Sequence, residues 1–557
     1  MTLLSEKQKD KLQKLYNQNR FSELELEVEK ISDFKTRSPF LANLLGVAKL
    51  KKKFKTDKDW LEARSLFLDS YTKAPTYDDA LCNYAHISVK LRDFDHAYNE
   101  LIKRKKRGYN PKINEALSRI YFFEGKIDDA LTIFKETEKN GDLTPVTASH
   151  FLTTMNYSSN FSQKEYLNYC RKIDNKFEVA SDELKKRNKY NLSENLKIGF
   201  ISPDLMEHSV YYFLKSTFQS LKKNSIKIYA FNLRDESELD DISKQIKKNC
   251  DKWIDLSKLN DLDAANLIVK NNINILIDLA GHFARNRFKI LKYKPSPIQI
   301  SWMGFVNTTG IKELDYILAD QNLIKSDEEN LYSEKVLRLP NIWNCHSGID
   351  DKFLINEPPF KKNGYLTFGC FNNSSKISPD CINIWSEILK KAKNCKIMIK
   401  APSEDAEIAQ RIILDKFKKN KIDEDRILFE KKKKNRDDHL KMYNGVDVSL
   451  DTFPYPGVTT SFESIWMGVP VLTKAGNNFV SRCGESININ LGMKDFIATD
   501  NDDYILKATS LCENFDYITK IRKTLRDKAK NSPLFDVDKF GNDFSELMIN
   551  LWKKNSE

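Results

Sequence analysis

At 557 residues, with 40% apolar and 31% charged residues, the chain is too long for one hydrophobic core and close enough to a globular average to exclude disordered and collagen-like classes. The formal net charge is +12, but the basic runs Lys51–Lys53, Lys103–Arg107 and Lys431–Lys434 fall in separate segments, so nucleic acid is not favoured as a partner. No apolar stretch is long enough to span a bilayer, and Met1 to Lys11 lacks the apolar centre of a signal peptide; the expectation is a soluble, cytoplasmic protein. Nine scattered cysteines without a CxxC pair read as reduced thiols, neither a disulfide framework nor a zinc site.

The first 150 residues place apolar side chains at i, i+3, i+4 and i+7 in paired blocks, the pattern of antiparallel helix hairpins. Ala97 and Ala130 stand 33 positions apart, and Ala63 precedes Ala97 by 34. This spacing, with Pro75 between units, resembles the tetratricopeptide repeat, with an insertion near Thr56 to Lys58. The domain reading is repeats over 1–150 and a helical connector over 151–195.

Near Asn195 the texture changes to short apolar runs alternating with amphipathic blocks, as in βαβ units. Strands are predicted at Leu196–Ser202, Ile226–Phe231, Ile273–Leu279, Ile298–Trp302 and Tyr316–Leu318, giving a first Rossmann-like lobe over 196–346. A polar linker follows over 347–363. A second Rossmann-like lobe with C-terminal helices occupies 364–557, with strands at Leu366–Phe371, Lys396–Ile399, Ile427–Phe429, Asp447–Leu450 and Val469–Thr473. Ligands of open α/β sheets bind at the carboxyl ends of the strands, so the cleft between two such lobes is the expected site.

Asp451 to Glu463 leaves a strand, turns through Pro454, Pro456 and Gly457, and opens a helix; Thr459 and Thr460 at a helix amino terminus suit a diphosphate. An alternative needs no ligand: Thr460 as N-cap with Glu463 three residues on is a capping box. In Phe371 to Pro379, Ser378 is the predicted N-cap, Pro379 the first helical residue, and Lys376 a loop cation for a leaving phosphate or a plain surface lysine. His208 and His282 each follow a strand of the first lobe and read either as a base or donor near neutral pH or as a capping or core histidine. There is no HExxH, P-loop, GxGxxG or Asp-x-Asp loop, which favours metal-free, nucleotide-dependent transfer.

Five strings fall in one order: Lys197–Asp204 with His208-Ser209, Asp278–His282, Pro297-Ile298-Gln299 with Trp302–Phe305, Phe371-Asn372-Asn373 with Lys376, and Leu450–Tyr455 with Thr459-Thr460. Together they resemble the protein O-GlcNAc transferase family, glycosyltransferase family 41, with its SPINDLY-type O-fucosyltransferase branch. The resemblance covers roughly residues 150 to 550. It implies an inverting, metal-free GT-B glycosyltransferase without a cofactor, whose second lobe holds the nucleotide-sugar while the repeats guide protein acceptors.

By the same resemblance Lys376 is the phosphate-binding catalytic lysine, Asn373 and the pair Thr459 and Thr460 stand at the diphosphate, and Glu463 stands at the ribose. His439 lies near the base with Arg436 beside it, and His208 lies over the sugar; His282, Gly304 and Thr308 fall on the acceptor side. Val458 stands where the animal enzymes carry His, and Met442 where they carry a basic residue. UDP-GlcNAc is the first-choice donor and GDP-fucose the alternative. Two further classes are a GT-B enzyme acting on a glycan or lipid carrier and a catalytically dead repeat scaffold.

Overall fold

The structure is a computed structural model, and it describes residues 5–18, 20–31, 38–51, 56–91, 93–180, 184, 195–401, 407–431, 433 and 435–556. The chain forms two compact units that divide in the main between Leu143 and Thr144. In the first unit, helices run over Glu6–Asn17, Phe21–Glu29, Pro39–Lys51, Asp57–Lys73, Asp78–Leu91, Asp95–Lys105, Pro111–Phe123 and Ile127–Lys139. Ala63, Ala97 and Ala130, the residues that mark the repeat, are all fully buried, because only a small side chain lets neighbouring helices close on each other at that position. The expected insertion at Thr56 to Lys58 is the start of a helix of 17 residues, longer than its neighbours and capped by Thr56 and Asp59.

The second unit opens with helices Pro145–Met155 and Gln163–Lys176, which Thr144 and Ser162 cap. The sequence-predicted boundary at residue 150 therefore falls inside a helix. These helices pack on the first sheet-bearing lobe through Gln163 Nε2, which donates to Asn307 Oδ1 at 2.7 Å, and through Asn307 Nδ2, which donates to Asn156 Oδ1 at 2.8 Å. Lys292, fully buried, pairs with Asp174 of the second of them.

The first lobe is a parallel sheet in the order β3-β2-β1-β4-β5-β6-β7. Its strands are β1 (Lys197–Ser202), β2 (Lys227–Asn232), β3 (Lys252–Asp255), β4 (Ile275–Asp278), β5 (Ile298–Ser301), β6 (Tyr316–Ala319) and β7 (Lys335–Arg338). The second is also parallel, in the order β10-β9-β8-β11-β12-β13, with β8 (Leu366–Cys370), β9 (Cys395–Lys400), β10 (Ile427–Glu430), β11 (Val448–Leu450), β12 (Val471–Lys474) and β13 (Ile497–Ala498). Strands β1, β2, β4, β5 and β6, and β8 to β12, are those predicted. Strands β3, β7 and β13 were not predicted; β3 (Lys252-Trp253-Ile254-Asp255) buries one residue of four, β7 (Lys335-Val336-Leu337-Arg338) none, and β13 is two residues long, so none carries more than two adjacent apolar residues, whereas the edge strand β10 keeps Ile427-Leu428-Phe429.

The lobes are joined by more than the linker. Arg482, 3% exposed, holds Glu328 of the first lobe with both guanidinium nitrogens, at 2.5 and 2.8 Å. The last helix, Val537–Ser556, returns to the first lobe, where Gly541 lies so near Ser220 that an added Cβ would stand 2.2 Å from its Oγ. Removing one partner of a buried ion pair leaves the other charge desolvated. Arg482→Ala is expected to lower the stability of the two-lobed unit by about 3 kcal/mol, checked by the shift of its denaturant midpoint against Arg482→Lys.

Candidate active site

Strands β8 and β11 are neighbours, Val448 pairing with Phe368, so the turns that leave their carboxyl ends lie side by side. The buried carboxylate of Asp451 joins them. Its Oδ1 accepts from Asn372 Nδ2 at 3.1 Å, from Thr452 N at 2.9 Å and from Gly457 N at 2.7 Å, and its Oδ2 accepts from Thr473 Oγ1 at 2.9 Å. Burial raises the Asp451 pKa above the usual carboxylate range, and these hydrogen bonds oppose that rise. Thr452 Oγ1 donates to Tyr455 O at 2.7 Å and Ser378 Oγ to Phe453 O at 2.8 Å, so the loop from Asp451 to Gly457 is held at both ends.

Asn372 also accepts from Thr460 Oγ1, which ties the β8 turn to the helix Thr459–Trp466. That helix starts two residues earlier than the capping-box reading needs. Its N-cap is Val458, which supplies no side-chain bond, and Glu463 turns elsewhere. The capping box is therefore not formed, because Thr460 is drawn to Asn372 and Glu463 to Arg436 and His439 of a neighbouring helix. Gly457 is forced by this crowding: an added Cβ would lie 2.5 Å from Thr460 Oγ1 and 2.7 Å from Asn372 Oδ1.

Lys376 ends the short turn Ser374–Lys376. Its Nζ donates to Pro456 O at 2.7 Å and stands 4.0 Å from the centroid of the Tyr455 ring. Burial pushes its pKa down to about 8, partly opposed by the Asp451 carboxylate. Asn373, beside it, is exposed and accepts from Ser375 N at 3.2 Å. Ser378 and Pro379 cap the next helix as predicted.

Glu463 is 4% exposed and receives His439 Nε2 at 3.2 Å and Arg436 Nε at 3.5 Å, both from the helix Arg436–Lys441. The first lobe reaches this cluster. Tyr212 places its ring 3.5 Å under the Arg436 guanidinium, and His346 Nε2 lies 3.4 Å from Arg436 Nη2. His346 accepts from Gly348 N at 3.1 Å through Nδ1, and burial, with Arg436 adding to it, pushes its pKa down to about 3. It is neutral and stacked on Phe462 and Tyr212. A cavity of about 300 Å³ between the lobes is lined by Arg436, Tyr212, Lys215, Ser347 and Glu207.

His208 follows Glu207 on the turn after β1; it is exposed, and its Nδ1 accepts from Val210 N at 3.4 Å. Asp204 is committed to Arg234, at 3.2 Å. The three residues given to the acceptor side, His282, Gly304 and Thr308, lie inside the first lobe and its covering helices. His282 is 1% exposed, with Nε2 donating to Thr309 O at 2.7 Å and Nδ1 accepting from Ser149 Oγ at 3.1 Å; burial pushes its pKa down to about 4. It is a core histidine, the second of its two readings. Thr308 is fully buried, bonded to Ser333 Oγ at 2.8 Å and Glu334 Oε2 at 2.5 Å. Gly304 allows a close backbone crossing, since a Cβ there would lie 1.7 Å from Leu279 O. Among the described residues no three His, Cys, Asp or Glu side chains are grouped to hold a metal ion, and no helix is long and apolar enough to cross a membrane.

The sequence model described as Glycosyl transferase family 41 matches residues 168–348 and 362–544, which take in both sheets and every residue of the turns after β8 and β11. The chain belongs to this family of glycosyltransferases. SPINDLY of Arabidopsis thaliana, described as a probable UDP-N-acetylglucosamine–peptide N-acetylglucosaminyltransferase, is 30% identical over 380 residues, 66% of this family-41 chain and 41% of its own length. The Caenorhabditis elegans UDP-N-acetylglucosamine–peptide N-acetylglucosaminyltransferase is 20% identical over 477 residues, 65% of this chain and 41% of its own. The match thus spans about two fifths of these curated relatives. A solved mutant of the Thermobaculum terrenum O-GlcNAc transferase shares the fold, with a TM-score of 0.81 at 22% identity over 89% of this chain and 95% of that one.

Sequence reasoning missed Tyr212, His346 and Asp451 as members of the cluster; Asp451 lay in a quoted string, whereas Tyr212 and His346 carry no local motif. Two outcomes are expected from this family-41 site. Gly457→Val should separate Thr460 from Asn372 and weaken binding of UDP or GDP by about tenfold, measured by calorimetry. If the Lys376 ammonium is the working form, kcat/KM should be flat below about pH 8 and fall above it, since the group loses its charge as pH rises through its lowered pKa. Lys376→Arg should lack that alkaline limb in whatever activity it keeps.

Proposed function

We propose that the protein transfers a sugar from a nucleotide-sugar to serine and threonine hydroxyls of other proteins, with inversion and without a metal. The observation that supports this best is the pairing of the Lys376 ammonium with the side-chain-uncapped start of the helix Thr459–Trp466 on adjacent strand ends, two positive features for one diphosphate. The acceptor Oγ attacks the anomeric carbon on the face opposite the diphosphate. The bond from that carbon to the β-phosphate oxygen breaks, its electron pair leaves with the nucleotide, and the hydroxyl proton passes to a base or to water. Lys376 and the free N–H groups of the helix neutralise the leaving charge.

In this reading Thr459 and Asn373 complete the diphosphate site, Glu463 takes the ribose hydroxyls, and His439 and Arg436 flank the base. His208, exposed on its turn, orients the sugar. UDP-GlcNAc is the first donor, supported by the names that the relatives carry. GDP-fucose is the second, supported by the strings Phe371-Asn372-Asn373 and Asp451–Tyr455, which resemble the SPINDLY-type branch. The helical repeats select protein acceptors, and the protein works in the cytoplasm.

Incubation with UDP-GlcNAc and with GDP-fucose, followed by measurement of UDP against GDP released in the presence of a protein acceptor, tests donor and activity together. Release in excess EDTA is expected to equal release without it. Lys376→Ala should reduce turnover by about 10²-fold or more. Near-normal turnover in that variant, or transfer only after added magnesium or manganese, would sink the proposal.

A further inference from the structure

The helices Pro145–Met155 and Gln163–Lys176 precede the first lobe in the chain, yet the segment between them reaches the second. Tyr157, 8% exposed, packs its ring on Tyr455, 6% exposed, with centroids 4.7 Å apart and planes tilted by 38°. A few residues on, Ser159 Oγ lies 3.4 Å from Asp380 Oδ2, on the helix that begins after the β8 turn. Tyr455 is the residue over whose ring the Lys376 ammonium stands at 4.0 Å. Its own main chain is fixed, because its carbonyl accepts from Thr452 Oγ1 at 2.7 Å.

The contacts form one line: Tyr157 against Tyr455, Tyr455 under Lys376, and Lys376 bonded to the carbonyl of Pro456. An ammonium has three N–H donors. One goes to Pro456, and the ring face attracts the charge without taking a hydrogen bond in the ordinary sense. Such a seat fixes the direction of a flexible side chain and leaves donors for an incoming oxyanion. We infer that Tyr455 is a positioning residue for Lys376, and that Tyr157 of the helical connector completes the seat by packing on the Tyr455 ring. The inference rests on the proposed role of Lys376 as the cation for the leaving diphosphate.

The groups that face Lys376 are the Asp451 carboxylate, the Cys370 and Cys483 thiols, and the Tyr455 ring, whose phenol burial holds in its neutral form. Burial is the largest influence on the lysine. Loss of the ring therefore admits water and moves the titration of Lys376 upward, against the smaller loss of cation–π attraction. A residue that only supported the fold would change stability without moving that titration.

The test uses the full chain with Tyr455→Phe, Tyr455→Leu, Tyr157→Phe and Tyr157→Leu. Acetylation of Lys376 by an N-hydroxysuccinimide ester is followed against pH by peptide mass spectrometry, which needs no turnover. The wild type and both Phe variants are expected to titrate near pH 8, Tyr455→Leu about one pH unit higher, and Tyr157→Leu higher by a smaller step. In donor turnover Tyr455→Leu should lose about tenfold in kcat with donor KM changed less than about threefold, and the Phe variants should stay within about twofold. A folded Tyr455→Leu with wild-type titration and wild-type kcat would overturn the inference. An unshifted Tyr157→Leu beside a shifted Tyr455→Leu would overturn the part given to the connector. Should Tyr455→Leu fail to fold, Tyr455→Met, which fills the volume without a ring, is read by the same criteria. If the titrations move as expected while the wild type turns over neither donor, the seat of Lys376 stands and the glycosyltransferase reading fails.

Discussion

The buried carboxylate of Asp451 is the constraint on which the site depends. A carboxylate out of water is costly unless hydrogen bonds satisfy it. Here the four donors that satisfy it come from three places: the β8 turn through Asn372, its own loop through Thr452 and Gly457, and β12 through Thr473. The requirement of one ion thus fixes the relative position of two turns that the sequence separates by about eighty residues. Asn372, held by Asp451 through its amide nitrogen, presents its oxygen to Thr460 and so sets the start of the helix Thr459–Trp466. The crowding at Gly457 is the steric face of the same arrangement.

The first lobe contributes packing rather than charge. Tyr212 and His346 meet Arg436 by ring faces and an uncharged imidazole, leaving Glu463 as the acidic group that Arg436 and His439 share. Burial keeps His346 neutral, so Arg436 is not met by a second positive charge. An aromatic face is suited to that task, since it attracts a guanidinium at little desolvation cost and without competing for its in-plane donors.

The strands and helices that bury a continuous apolar run were legible in the sequence, as were the Ser378 cap and the alanines that mark the repeat. The strands β3, β7 and β13 were not, because each is short and has at most two adjacent apolar residues, unlike the edge strand β10 with its run Ile427-Leu428-Phe429. Thr460 and Glu463 show a second limit. Their spacing satisfies a local capping rule, yet long-range partners, Asn372 for one and His439 with Arg436 for the other, outcompete the local bonds. His282 shows a third: a rare histidine after a strand is equally a catalytic or a core residue by pattern, and only Ser149, 133 positions away in the chain, decides it. Tyr157 and Tyr212 belong to no motif because their partners lie in other domains of the fold.

The depressed pKa of Lys376 follows from the same economy of charge. A shift from 10.5 to about 8 means that the surroundings disfavour the ammonium by about 3 kcal/mol relative to water. Asp451 opposes this only in part, since burial is the larger influence. Below pH 8 the folded protein therefore carries a charge that it holds less well than the unfolded chain does. Between about pH 8 and 10.5 the unfolded state binds the extra proton, so this group's penalty on folding fades as pH rises through that window. In the proposed role of Lys376, a diphosphate would relieve the penalty at neutral pH by supplying the missing counter-charge. On that proposal the lysine would be stabilised more by a charge that arrives than by anything built into the fold, and its attraction would grow as negative charge collects on the leaving oxygen.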